Sequence, residues 1–380
     1  MQSVKYIKII FLCGSLETGR DGVGDYTRIL ACELIKKGHN AGIIALNDSY
    51  LSEELNTVLN FDTIDLPVLR LPAQWPSTKR FQRAGLWMEA FNPDWISLQF
   101  VPFAFHSKGL ALRMAKQLLK LGNGRHWHIM VHELWVGMDE KAPRKFIYLG
   151  WLQRQLIKYL FFKLRPVVIH TQANLYLKLL DKIGIKAQYL PLFGNISLTP
   201  VSTGENYLPT GNLPSLKSLV LFGGIHFGAP VSQLVKDLAA YSKENNVQVS
   251  LTIIGRCGAE QDRWVAEWKS AGLFVQVLGE QESERVSAEL NKANVGIATT
   301  PAALIDKSGS VAAMIEHGLP VLCVSKEWKP RGINHFKLPP GVMVYKQGNP
   351  QTIFSIKKMP GNPTHISTIT DQFVNNLLSV

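Results

Sequence analysis

The stretch DGVGDYTRILACELIKKGH, residues 21–39, decides how the rest of the chain is read. Its apolar residues recur every three to four positions, the spacing that puts them on one face of a helix. Gly22 and Gly24 stand at its start, and Gly38 closes it as a helix C-terminus should. KYIKIIFLC (5–13) precedes it and AGIIAL (41–46) follows, both short apolar runs of strand character. Strand, helix and strand in immediate succession predict a parallel sheet in a doubly wound α/β architecture.

The alternation continues through DWISLQ (94–99), WHIMVH (127–132) and RPVVIH (165–170). It loosens after Pro191 into a stretch rich in Pro, Gly, Ser and Asn, read as a linker over 196–212. It restarts with SLVLFGG, VSLTIIG, FVQVLG, VGIATT and PVLCV between 218 and 324. The expectation is therefore a Rossmann-like domain over 1–195 and a second over 213–360. A C-terminal helix within 361–380 would pack back on the first domain. A chain of 380 residues suits two domains of ~100–200 residues each. Ligands of open α/β sheets bind at the carboxyl ends of the strands, so two such domains are expected to present theirs across a central cleft.

A composition of 46% hydrophobic and 18% charged residues excludes a disordered chain. No uninterrupted apolar run reaches the ~18 residues that a bilayer span requires. The N-terminal apolar run is too short for a signal peptide, and the four cysteines are scattered, which fits a reducing cytoplasm. The net charge is +12, and residues 1–200 hold 25 Lys and Arg against 15 Asp and Glu. The excess peaks in 101–200, at 15 against 4. Within it RKFIYLGWLQRQLIKYLFFKLR (144–165) has no acid, and Pro166 ends it. At helical spacing Arg144, Tyr148, Trp151, Gln155, Lys158, Phe162 and Arg165 fall on one stripe. Such a stripe suits peripheral contact with an anionic membrane, the inner face of the plasma membrane for a cytoplasmic protein. It equally suits a packing helix whose Lys and Arg stems cover apolar surface. No nucleic-acid module accompanies it, so nucleic acid is not expected as a partner.

In TTPAALIDKSGSVAAMIEHGLPVLCV (299–324), Lys307, Ser308, Gly309 and Ser310 open a helix. Unpaired N–H groups and the helix dipole favour an anion there, and Lys307 adds a full positive charge, so a phosphate is the natural guest. Pro301 and Asp306 stand where a Walker loop needs glycine. The alternative is that Asp306 or Ser308 caps the helix while Lys307 points to water. Gly22, Val23 and Gly24 open the helix of 21–39 and allow a ligand close to the backbone, or form only a tight turn. His132 ends a strand, where it can bond a ligand hydroxyl or serve as a satisfied core histidine. Gln99 and His106, in SLQFVPFAFHSKG (97–109), follow another strand end and are candidates for an acceptor pocket.

Taken in order, the glycine-rich helix start, the strand-end His132, the linker, FGGI, TIIGRCG, VLGEQ and EHGLPVL resemble the retaining glycosyltransferases of the GT-B fold. The similarity is to the group that uses nucleotide-sugar donors, called family 4-like or group 1. The resemblance spans nearly the whole chain. It implies a GT-B fold with the acceptor on the N-terminal domain and the donor on the C-terminal one. It places Gly22, Val23 and Gly24 under the donor diphosphate, with Asp25 toward the acceptor, and sets His132 against the transferred sugar. Asn195 falls at the family's Pro-Asn-Gly turn. Gly224 and His226 lie after the first strand of the second domain, and Gly255, Arg256 and Glu280 border the base.

Two family features are missing. The Arg and Lys that normally follow that strand are replaced by GGIHFGAPVSQ, with His226 the one polar candidate. The Glu-x7-Glu pair falls on Ile305 and Ala313, so Asp306 and Glu316 are the candidate substitutes and Lys307 the candidate phosphate partner. The implied reaction is metal-independent hexosyl transfer from a UDP-sugar, UDP-glucose by default, with retention of configuration and no cofactor. The implied acceptor is a saccharide or lipid-linked glycan, in polysaccharide or cell-envelope glycan biosynthesis. Two alternatives stay open: a sugar-nucleotide epimerase on the same fold, and a nucleotide-sugar-binding protein without turnover.

Overall fold

The computed structural model describes residues 6–61, 63–110, 112–199, 215–362 and 365–379. Most of the expected linker, from residue 200 onward, lies outside them. The chain divides into two compact units. One comprises Met1–Pro191, Lys329–Asn334 and Ile366–Val380, the other Leu192–Trp328 and His335–His365.

The first unit begins with β1 (Lys8–Cys13), whose run IIFLC is wholly buried, as befits a strand covered on both faces. α1 (Gly22–Lys36) leads to β2 (Asn40–Asp48), and the hairpin β3 (Leu55–Phe61) and β4 (Ile64–Pro72) follows. α2 (Ser77–Phe91), β5 (Trp95–Phe100), α3 (Met114–Gly122), β6 (His126–Val131), α4 (Arg144–Leu164), β7 (Val168–Thr171), α5 (Asn174–Asp181) and β8 (Gln188–Tyr189) complete the run. The strands form one sheet in the order β3-β4-β2-β1-β5-β6-β7-β8. All pairs are parallel except β3 with β4.

The second unit holds β9 (Leu216–Phe222), α6 (Val231–Asn245), β10 (Gln248–Ile254), α7 (Gln261–Ser270) and β11 (Phe274–Gly279). It continues with α8 (Ser283–Lys292), β12 (Val295–Ala298), α9 (Gly309–Glu316), β13 (Val321–Cys323) and β14 (Val342–Val344). Its sheet is parallel throughout, in the order β11-β10-β9-β12-β13-β14. The order reverses direction at β9 and β12, the kind of switch point where open α/β sheets bind ligands. Ile305 and Ala313 are buried in this unit's core beside Val311, Met314 and Val321. The last helix, α10 (His365–Leu378), lays Phe373 against Phe11, His128 and His170 of the first unit, with ring centroids 6.2, 5.0 and 6.1 Å apart. Lys37 at the end of α1 pairs with Asp371 of this helix at 2.6 Å.

Candidate functional site

In the second unit the carboxyl ends of three neighbouring strands stand side by side. Gly223 N donates to Ile254 O at 3.0 Å, and Gly255 N donates to Gly279 O at 2.7 Å. Ile225 N adds a bond to Cys257 O at 3.0 Å. The turns after β9, β10 and β11 are thereby locked together. Arg256 and Glu280, both exposed, pair across them at 2.5 Å and form a charged rim. A β-carbon at Gly223 would lie 3.3 Å from the Ser310 β-carbon, which places the start of α9 directly against the turn after β9.

Helix α9 follows the 3-10 segment Ala302–Lys307, so Lys307 directly precedes Ser308 and Ser310 at its start. Ser308 occupies the N-cap position in extended conformation, yet its side chain caps no backbone N–H. Its hydroxyl instead meets Ser310 Oγ at 3.1 Å. The first turn thus offers helix-end amides and two hydroxyls, with Lys307 next in sequence and its charge acting on His226, a combination suited to a phosphate. His226 is held from below by the buried Thr299, whose Oγ1 accepts His226 N at 2.9 Å and sits 3.1 Å from Nδ1. The same hydroxyl donates to Gly224 O at 3.2 Å. Partial desolvation, and then the nearby Lys307 charge, lower the His226 pKa and favour neutral imidazole. Thr299 did not emerge from the sequence, although it ends the VGIATT strand and strand ends are where such residues sit.

Glu316 is placed elsewhere. It closes α9, roughly 10 Å from Gly309 at ~1.5 Å per helical residue. Its Oε1 accepts Gly194 N at 2.8 Å and lies 2.6 Å from His365 Nδ1. Its observed work is to pin the 191–197 loop to α9. A β-carbon at Gly194 would meet Ala313 Cα at 2.7 Å, while the neighbouring Asn195 is exposed. Asp306, half-buried, lies in the 3-10 segment beside Lys307.

In the first unit the glycine-rich turn is occupied by its own chain. Asp21 is the N-cap of α1, and its Oδ1 accepts Val23 N at 2.9 Å and Gly24 N at 3.1 Å. The two amides expected to meet a diphosphate therefore already hold a carboxylate. Gly22 beside them is exposed. Asp25 turns inward, accepting Gly19 N at 3.2 and 3.1 Å on its two oxygens and pairing with Arg28 at 3.0 Å. It fixes the loop between β1 and α1.

His132, just past β6, is 4% exposed with a partner on each ring nitrogen. Gln172 Nε2 lies 3.0 Å from Nδ1, and Gln99 Oε1 lies 2.9 Å from Nε2. An amide N–H at Nδ1 and a carbonyl at Nε2 fix the neutral tautomer that carries its proton on Nε2. Gln99 donates in turn to Ser97 Oγ at 2.7 Å, Ser97 meets His128 Nδ1 at 2.7 Å, and His128 Nε2 meets His170 Nδ1 at 3.0 Å. His170 Nε2 closes the chain on Asn376 of α10 at 2.8 Å. Gln99 is thus a buried link in this network and reaches no surface. His106 is exposed, and its Nδ1 accepts Lys108 N and Leu110 N at 3.1 and 3.3 Å, shaping its own turn. The structure brings His132 and Gln99 together and leaves His106 apart.

Among the described residues, no group of three His, Cys, Asp or Glu side chains is placed to hold a metal ion. No helix among the described residues is long and apolar enough to cross a membrane. The stripe on α4 is exposed at all of Arg144, Tyr148, Trp151, Gln155, Lys158, Phe162 and Arg165.

Two Rossmann-like units in one chain, with the strand orders given above, define the GT-B fold, and solved structures share it over the full length. HepE of Anabaena, crystallised with UDP and glucose, is 14% identical with a TM-score of 0.60, over 99% of this chain and 100% of that one. A glycosyltransferase of Rickettsia africae is 15% identical at TM-score 0.57, over 98% and 94% of the two chains. The trehalose 6-phosphate synthase of Burkholderia multivorans is 12% identical at 0.58, over 99% of each. No family model and no curated protein matches the sequence. At these identities the likeness is one of fold.

Proposed function

We propose that the protein is a retaining hexosyltransferase that draws on a UDP-sugar, glucose by default. The acceptor in this reading is a saccharide or lipid-linked glycan, within polysaccharide or cell-envelope glycan synthesis. The observation that carries it is the meeting of the α9 start and the hydroxyls of Ser308 and Ser310 with the glycine turn after β9, with the Lys307 charge acting on the neighbouring His226. The co-crystals of HepE with UDP and glucose, and with UDP-glucose, support the choice of donor.

The diphosphate would sit on the α9 end with Lys307. Gly224 and His226 would flank it, and the base would lie along Gly255, Arg256 and Glu280. Negative charge builds on the departing phosphate as the glycosidic bond breaks. A placed cation and helix-end amides stabilise that charge, an effect worth roughly 3–4 kcal/mol per good donor. Ile305 and Ala313 are core residues, so no carboxylate of the missing pair takes part. Asp306 is the nearest acid in sequence to the phosphate site and is proposed to hold a donor hydroxyl. His132, in its fixed tautomer, is proposed to meet the sugar by exchanging its Gln172 bond for a ligand hydroxyl. The Asp21 carboxylate would repel a phosphate, so the turn at Gly22–Gly24 is given a packing role.

The exposed basic and aromatic stripe of α4 is proposed to rest on an anionic membrane as a peripheral contact of a cytoplasmic enzyme. Incubation with UDP-glucose alone, followed by NMR, tests the reaction. The expected result is slow release of UDP with α-glucose formed first, unchanged by EDTA. A changed sugar nucleotide without UDP would make the protein an epimerase. Binding of UDP-glucose without turnover would leave a nucleotide-sugar-binding protein.

A further inference from the structure

A cavity of about 200 Å³ opens in the first unit between the loop after β6, helices α4 and α5, and the segment 329–334. One water needs roughly 10–15 Å³, so the space admits a group larger than solvent. Three cationic side chains border it: Arg154, Lys182 and Arg331. None of its lining residues is acidic. The nearest acids in sequence are engaged elsewhere, Asp139 by Lys141 N at 3.1 Å and Asp181 by Lys186.

The cavity is held open by specific contacts. A β-carbon at Gly150 would fall 2.1 Å from Val136 O, so only glycine lets α4 come this close to the loop. Arg331 N donates to Met138 O at 2.7 Å, and Glu140 N donates to Lys329 O at 2.9 Å. These bonds fasten 329–331 across the mouth of the loop. Arg331 Nη2 reaches Asp139 O and Glu140 O at 3.2 and 2.8 Å, and Lys182 Nζ bonds Gly332 O. Each cation spends only part of its donors this way, since Lys has three and Arg five. Arg154 goes further: its buried Nε has no hydrogen-bond partner, and its guanidinium lies 5.7 Å from the Trp135 ring.

Three like charges around one hollow repel one another, and a buried N–H without a partner is costly. An anion with several acceptor oxygens relieves both, and guanidinium groups match phosphate in geometry. Trp135, Ile147 and Leu179 supply apolar wall for whatever the anion is attached to. We infer that this cavity is a phosphate-binding site, separate from the donor site of the second unit. The phosphate could be carried by a sugar or by a lipid headgroup, because the cavity lies on the flank of α4 beside its exposed stripe.

Equilibrium dialysis with inorganic phosphate tests the inference on the full chain. Wild type and Lys307→Ala should share a saturable component that Arg154→Gln and Lys182→Gln each weaken roughly tenfold, the loss expected for one charge-assisted hydrogen bond. Lys182 is exposed, so its variant remains folded even if Arg154→Gln does not, and circular dichroism checks both. Competition by glucose 6-phosphate identifies a sugar phosphate as the carrier. Tighter binding of wild type than Lys182→Gln to phosphatidylcholine vesicles doped with phosphatidic acid identifies a lipid. The inference is overturned if both cavity variants bind phosphate as wild type does, or if Lys307→Ala abolishes all binding.

Discussion

At Gly24 a β-carbon would come within 2.7 Å of Ser15 O, so α1 lies against the loop after β1 as only glycine permits. Asp21 completes that packing by capping the helix. Asp21→Ala should cost about 1 kcal/mol, the usual value of a lost N-cap. It should leave UDP affinity unchanged, as judged by calorimetry beside a urea unfolding curve. A tighter complex with UDP would instead return these amides to the diphosphate. The residue scale is where the sequence was hardest to read. The glycines that open α1 suit a phosphate turn and a tight packing turn equally well, and Asp21 did not emerge from the sequence as the cap. What separates the two is the Asp21 carboxylate, which accepts Val23 N and Gly24 N in the folded chain. Gln99 and Asp25 likewise stood at the right strand and helix ends, and their inward direction depends on rotamers that spacing does not encode. Thr299→Val isolates the support beneath His226. Losing that hydroxyl should weaken UDP binding several-fold while far-ultraviolet circular dichroism stays the same.

Among the elements, α4 was the most legible. Its lack of acids, its stripe and its stop at Pro166 were all visible, and the helix ends at Leu164 with Arg165 as its left-handed cap. What spacing left open was whether the stripe faced protein or solvent. It faces solvent, with Tyr148 at 71%, Trp151 at 52% and Phe162 at 67% exposure. Trp151→Ala together with Phe162→Ala should therefore change stability by no more than about 0.5 kcal/mol, as exposed substitutions usually do. The pair should sharply reduce co-sedimentation with anionic vesicles. Unreduced sedimentation would remove the membrane from the account. The hairpin of β3 and β4 was not foreseen. β3 alternates half-buried and exposed residues, the mark of an edge strand with one solvated face, and so lacks the uninterrupted apolar run that marks β1.

Across the whole molecule, the succession of strands and helices was enough to read two doubly wound units, because buried parallel strands must be short, apolar and separated by helices. The buried network was not legible, since its members come from strands and helices far apart in sequence. Ser97, His128, His132, His170 and Asn376 meet only once the sheet is formed and α10 is in place. The network makes stability depend on pH. Burial drives His170 to about 4 from an ordinary 6.5, and His128 is lowered well below 6.5 as well. The unfolded chain then binds protons that the folded chain refuses, so stability is complete above about 6.5 and falls as pH drops toward 4. His170 alone accounts for on the order of 3 kcal/mol of that loss. Urea midpoints at neutral and mildly acidic pH should show it, and His170→Gln should flatten the slope. An unchanged slope in the variant would assign the dependence to other groups.

The α9 end with Lys307 is proposed to receive the diphosphate of a sugar nucleotide. Titration calorimetry of UDP, GDP and ADP into wild type and Lys307→Ala tests it most directly. UDP should bind wild type, with GDP and ADP weaker, and Lys307→Ala should lose roughly tenfold or more, the worth of one charge-assisted hydrogen bond. Equal UDP affinity in the two proteins, or no binding of any nucleoside diphosphate to wild type, would contradict it.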